Sequence, residues 1–287
     1  PTPYYRDGSA TYRMEYNYYP DTTMWFNAYR ADELDLMPVN LDQVDEILND
    51  PAFDGQMLTF NGPRTFAAMF NVEKEPFNDE KVRQAFALAL DREELVTDVY
   101  NNRMRETLTW IPPGFPGHDS ATTQWAYDPG AADAALAQSS YSLAGQPIPE
   151  VTVYYIDSGY NRLLWEELEQ QWEEELGVTI HLESVDGDTF REKRDSDVPE
   201  DQLQAFSYGW TADFADPHDW LDMPWGEGGV FNTWTHYDSA AFTDLLAQAN
   251  AERDPAARML LYQDAQRQLI LDLPMIPVYS TANRFLV

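Results

Sequence analysis

Three carboxylates, Asp213, Asp216 and Asp219, fall within the thirteen residues from Tyr208 to Trp220, among Trp210, Phe214 and Trp220 and framed by Gly209 and Pro217. Carboxylates set among aromatic rings suit the capture of a small polar ligand better than the filling of a core. Asp213 lies between Ala212 and Phe214, where a buried or half-buried carboxylate needs a cation, and a ligand amine would supply one. Pro217 stops a helix from running through all three acids, so they are expected on a loop. A second reading stays open for Asp216 and Asp219, an Asx turn followed by a helix cap.

Other chemistries find less support. The four histidines, His118, His181, His218 and His236, form no HxxxH or HxH pair, and His218 beside Asp216 and Asp219 is the one cluster a metal could use. Without cysteine the chain has neither disulfides nor thiolate sites, and it holds no G-x-S-x-G elbow, the nearest fragment being Asp157-Ser158-Gly159. No phosphate-binding glycine loop occurs, and Gly226-Glu227-Gly228-Gly229 carries an acid that repels phosphate. No cofactor is expected. The rival is a glycoside hydrolase or carbohydrate-binding protein, for which nine tryptophans would serve as platforms and Asp213, Asp216 or Glu227 as paired carboxylates.

Eighteen basic against fifty acidic residues give a net charge of −32, which repels nucleic acid. Fifteen of the eighteen are arginine, and the acids are dispersed, as on the hydrated surface of a salt-adapted protein. No run of about 18 apolar residues could span a membrane.

The elements that must carry these residues read as follows. Leu41, Val44, Ile47 and Leu48 share one face of a helix over 41–49. Asn78 or Asp79 caps a helix with the stripe Val82, Phe86, Ala89 and Leu90, and Asp91 with Glu94 makes a capping box for a second helix carrying Leu95, Val96 and Val99. Residues 110–117 alternate Pro and Gly too often for anything but a loop, and Asp128-Pro129 starts an Ala-rich helix. A strand at 151–155, a helix at 161–176 closed by Gly177 and a strand at 178–182 make a βαβ unit with parallel strands. A third strand, 203–208, leads into the acidic stretch, and ligands of such sheets gather beyond the carboxyl ends of strands. Two helices, one capped by Asp238 and one started by Asp254-Pro255, and an extended segment at 274–279 complete the chain.

Gly209-Trp210-Thr211-Ala212-Asp213 with Asp216-Pro217 resembles the G-W-x-x-D-x-x-D/E-P signature of the extracellular solute-binding proteins of peptide ABC importers, the oligopeptide- and dipeptide-binding family. Phe70-Asn71 with Pro76-Phe77-Asn78-Asp79 and Val82-Arg83 is similar to that family's F-N-x-x-x-x-P-F-x-D-x-x-V-R-x-A run. Ile111-Pro112-Pro113 to Pro116-Gly117 resembles its I-P-P-x-x-P-G crossing, and the Arg258-to-Tyr279 segment its P-x-I-P-V-Y ending. Pro3-Tyr4-Tyr5-Arg6-Asp7-Gly8 resembles the end of its N-P-x-Y-W-x-x-G segment without the leading Asn. Arg30-Ala31-Asp32-Glu33-Leu34-Asp35 resembles its G-E-I/L-D turn with Asp32 in place of Gly, a residue that tolerates the left-handed conformation.

The resemblance implies an α/β, periplasmic-binding-protein-like fold of the class II type, a C-terminal lobe plus part of the adjoining lobe. Residues 1–69 and 278–287 would belong to the first lobe and 70–277 to the ligand-binding one, the chain being a fragment of roughly half a family member. It implies no enzyme. The protein would instead be an extracytoplasmic receptor, lipid-anchored in full-length form and monomeric, that closes by hinge motion on a peptide or related solute and delivers it to permease subunits in the membrane. By the same resemblance Asp213 would grip the ligand's α-amino group, with Thr211 in the motif beside it. Trp210 and Tyr208 would flank the ligand, core packing being the other reading. Arg194, in Phe190-Arg191-Glu192-Lys193-Arg194, stands where some oligopeptide binders place an arginine for the ligand carboxylate, and its other reading is a solvated charge between Glu192 and Asp195.

Overall fold

A computed structural model describes residues 13–287. The Pro3–Gly8 resemblance therefore lies outside the described residues. The described part divides into two compact units, one ending at Thr59 and rejoined by Asn283–Val287, the other Phe60–Ala282. The sequence reading drew its borders at 69 and 277. The chain passes between the units inside two continuous strands, so no loop or linker in the sequence marks the division.

The smaller unit holds α1 (Thr22–Arg30), the short strand β1 (Met37–Pro38) and, after a 3₁₀ turn at Leu41–Gln43, α2 (Val44–Asn49). Helix α1 was not foreseen. It is capped by the Asp21 carboxylate at Met24 N and ends where Asp32 takes φ 58°, its N–H reaching Tyr29 O while that of Glu33 reaches Ala28 O. Asp32 thus takes the left-handed conformation it was expected to tolerate in this turn, and there it also stops a helix, with Asp instead of Gly. On α2, Val44 and Ile47 are buried, but Leu48 is exposed. Phe26, Met37, Ile47, Phe53 and Leu286 form this unit's small core.

Strand β2 (Met57–Phe70) enters the larger unit, followed by α3 (Glu80–Leu88), α4 (Arg92–Asp98), β3 (Met104–Glu106), α5 (Pro129–Leu136) and α6 (Ser140–Leu143). Next come β4 (Val151–Ile156), α7 (Tyr160–Leu176), β5 (Ile180–Val185), α8 (Gly187–Arg194), β6 (Ala205–Thr211) and α9 (Pro217–Trp225). The chain closes with α10 (Val230–Thr235), α11 (Ala240–Ala251), α12 (Pro255–Asp272) and β7 (Met275–Leu286). The sheet runs β7-β2-β6-β4-β5, with β3 on the other edge of β7. Strands β4 and β5 are parallel, Val151 facing Ile180, as the βαβ reading required, and β6 lies parallel to β4 and antiparallel to β2.

Alternation along the strands sends residues to two cores. Ala68 and Phe70 face Phe77, Phe86, Trp172 and the rest of the layer under α3, α4, α5 and α7. Ala67, Met69 and Phe206 face Trp110, Trp220, Trp225, Phe231 and α11 and α12 on the other side. Helices on both faces of a mixed sheet make this an α/β architecture.

Several polar groups of the first layer find partners within the chain, although one nitrogen of Arg92, Nη2, is buried without one. Asp79 caps α3 at Lys81 N and also accepts from Ser140 N and Oγ; burial would raise its carboxyl, but these bonds outweigh it and hold it below the usual range. Buried Arg83 donates from Nε and Nη2 to Asp272 O and from Nη1 to Phe77 O. Buried Arg92 donates to Pro277 O, Leu90 O and Trp125 O, and desolvation lowers it to about 10.

Candidate functional site

Strand β6 runs further than the sequence reading allowed: Tyr208 lies on it as expected, and so do Gly209, Trp210 and Thr211 rather than on a loop. Its period of two puts Phe206, Tyr208 and Trp210 on one face, while Ser207 on the other accepts from Trp165 Nε1 at 3.2 Å. Gly209 faces Phe66 across β2, and a Cβ there would meet Thr65 O at 2.8 Å. Glycine is needed at this point of the motif for strand packing.

Half-buried Tyr208 and Trp210 share a hub. Phe231 on α10 lies edge-on to both, at 5.6 and 5.8 Å between ring centroids, and touches Trp110, Trp225 and Trp234 as well. Tyr208 also packs against Trp234 at 5.0 Å, and over Trp234 sits the Arg194 guanidinium, 4.0 Å from the ring centroid. Arg194 is not a solvated charge: its side chain is 13% exposed and makes two 2.8 Å bonds to Asp195, which hold the guanidinium above its ordinary value. Trp234 and Phe231, with the short helix that carries them, were missed in the sequence; their i, i+3 spacing in Phe231-Asn232-Thr233-Trp234 was the available signal.

The three acids separate into three environments. Asp216 is the N-cap of α9, accepting from His218 N at 2.9 Å, with Pro217 at the first helical position. Arg258 on α12 grips it with two bonds of 2.8 Å, and these depress its carboxyl. It is therefore committed to folding and does not serve a carboxylate pair. Asp219 is not on a loop: it sits in the first turn of α9, wholly buried, where Oδ2 accepts from Trp210 Nε1 at 3.1 Å and from Asp213 N at 3.2 Å. Its Oδ1 is buried without a hydrogen-bond partner, and desolvation, reinforced by the nearby Asp213 charge, raises the carboxyl.

Asp213 overturns one expectation. It is exposed, because the turn after β6 carries it out of the aromatic layer, and the buried carboxylate of the stretch is Asp219. Its carboxylate has no ion-pair partner among the described residues. Thr211, facing Arg64 of β2, is exposed as well. Neither of two cavities in the structure has any of these residues in its wall. One, of 990 Å³, is bounded by residues of the smaller unit such as Tyr18, Trp25 and Phe285; the other, of 560 Å³, by Glu73, His236, Asp244 and their neighbours. The structure thus brings Tyr208, Trp210 and Arg194 into one aromatic band through Phe231 and Trp234, and ties Asp213 to Trp210 through Asp219.

Residues 1–232 match the model of the bacterial extracellular solute-binding proteins, family 5, middle region. The chain belongs to that family. It is 29% identical over 298 aligned positions to the periplasmic oligopeptide-binding protein OppA of Salmonella typhimurium, covering 99% of this chain and 52% of that protein. To the dipeptide-binding protein DppE of Bacillus subtilis it is 28% identical, over 73% of this chain and 39% of the relative. The chain spans about half the length, or less, of these relatives. Among solved structures it is similar to the unliganded open form of the murein tripeptide-binding protein MppA, with a TM-score of 0.80 at 22% identity, over 92% of this chain and 51% of that one. HbpA2 of Haemophilus parasuis superposes with a TM-score of 0.79 at 24% identity. The fold is that of periplasmic binding proteins, as the motif resemblance implied.

Proposed function

We propose that this family 5 solute-binding chain belongs to the extracytoplasmic receptor of an ABC importer, a monomer that captures peptides and hands them to a membrane permease without catalysing a reaction. In this reading the larger unit is the C-terminal, ligand-binding lobe and the smaller one part of the first lobe. A lipid anchor upstream would hold the receptor at the membrane. What carries the reading is Asp213: an exposed carboxylate with no cation of its own among the described residues, at the carboxyl end of β6 in the family's motif, beside an aromatic band. A peptide's ammonium supplies the missing charge. Trp210 and Tyr208 flank the ligand in this reading, with Thr211 beside Asp213 in the motif. Arg194 meets a ligand carboxylate only in competition with Asp195, and otherwise stiffens Trp234 and Tyr208.

Relatives named as oligopeptide- and dipeptide-binding proteins support the ligand class. Calorimetric titration of the full-length protein with short free-amine peptides is the test. Binding that disappears in Asp213→Ala while the fold persists supports the reading, and unchanged heats in that variant remove Asp213 from the site.

A further inference from the structure

The carboxylate that the fold leaves half-satisfied is not the one that faces solvent. Asp219 is 0% exposed, yet it carries two tasks on a single oxygen, fixing the indole of Trp210 at 3.1 Å and the main-chain N–H of Asp213 at 3.2 Å, while Oδ1 has no partner. A buried carboxylate with a vacant oxygen costs stability that its bonds to Trp210 and Asp213 offset only in part. What Asp219 does that no apolar residue could is join the two parts of the motif: the strand residue Trp210 and the turn residue Asp213 are nine and six residues away, on different local structures, and one oxygen holds both.

We propose that Asp219 is the positioning residue of the ligand site, clamping the Trp210 ring and the Asp213 turn in the geometry that receives the ligand, and doing so through its negative charge. The proposal rests on the reading of Asp213 as the ammonium partner. Its charged neighbours are few. Asp213 faces it from the turn; His218 lies on the same helix, with Nδ1 3.1 Å from Asp222 Oδ2; Asp216, one turn back, is neutralised by Arg258 from α12. Trp210, from β6, brings no charge. Protonating Asp219 therefore converts two charge-assisted bonds into weaker neutral ones and loosens both motif residues together.

The indole N–H resonance of Trp210, assigned in the full-length protein by its loss in Trp210→Phe, reports this directly, without ligand. It is expected to titrate with a midpoint above the ordinary value of Asp, about 3.9, to keep that titration in Asp213→Asn, and to lose it in Asp219→Asn. An indole shift that stays flat from pH 3 to 7, or that still titrates in Asp219→Asn, overturns the proposal. For binding, Asp219→Asn keeps an acceptor oxygen and is expected to weaken a free-amine tripeptide by about threefold at pH 7; Asp219→Ala, which orphans both donors, is expected to weaken it about thirtyfold. Unchanged affinity in a folded Asp219→Ala, with binding lost in Asp213→Ala, contradicts the clamp. A titrating indole in a protein whose affinity ignores Asp213→Ala instead leaves the clamp standing and refutes the peptide reading.

Discussion

Helices α3 and α9 begin with the same parts and finish differently. Each has an aspartate N-cap, Asp79 or Asp216, and each has an arginine close by. At α3 the cap and the arginine are satisfied inside the chain: Asp79 by the main-chain N–H of Lys81 and by Ser140, Arg83 by the carbonyls of Phe77 and Asp272. At α9 the cap is equally well satisfied, by His218 N–H and Arg258, but two further carboxylates remain, Asp213 without a cation and Asp219 with one oxygen unbonded. Capping residues explain themselves by folding; it is the charge left over after capping that points toward a ligand.

The contrast has consequences that scale with burial. Replacing Arg83 by Met leaves the buried carbonyl of Phe77 and the half-buried one of Asp272 without this donor and is expected to cost about 3 kcal/mol of stability, read as a lower thermal midpoint with no change in peptide affinity per folded molecule. A loss of affinity instead would place α3 in the site. Asp213→Ala should do the reverse, with stability held to within about 0.5 kcal/mol and affinity lowered about a hundredfold. Asp216→Ala removes a cap and should cost about 1 kcal/mol in chemical denaturation. Because Arg258 and the His218 N–H depress the Asp216 carboxyl in the folded state, its contribution is complete above the unfolded value, about 3.9, and is lost as pH falls through the lower folded value. A stability curve of Asp216→Ala that runs parallel to wild type down to pH 2 would refute that assignment. Arg194→Ala should have the smallest effect on affinity, about fivefold, since its charge is already shared with Asp195; a loss as large as that of Asp213→Ala would make it a direct ligand partner.

Much of the framework was legible because local chemistry agreed with the tertiary result. Gly177 stops α7 at φ 61°, Asp128 and Pro129 start α5, and Leu164, Leu168 and Trp172 point into one core as their spacing demands. Strand β2 escaped notice because its first half is largely exposed and holds Gly62 and Pro63, so no alternation shows there. Helix α8 is polar but for Phe190, and α10 is six residues long, too short for a period to register. The candidate site was only partly readable. The motif singled out Asp213 and Trp210 as candidates, but burial of one acid rather than another depends on where the β6–α9 turn sends each side chain. Nothing local to Pro217-His218-Asp219 announces that the last is wrapped by a tryptophan nine residues upstream.

The most direct test pairs one change in the protein with one in the ligand: a free-amine tripeptide and its N-acetylated form, each titrated calorimetrically into full-length wild type and Asp213→Asn. If the exposed carboxylate meets the ammonium, acetylation weakens wild-type binding by about a hundredfold and hardly affects the variant, so that the two losses do not add. Equal affinity of both peptides for the wild type would contradict an amine held by Asp213.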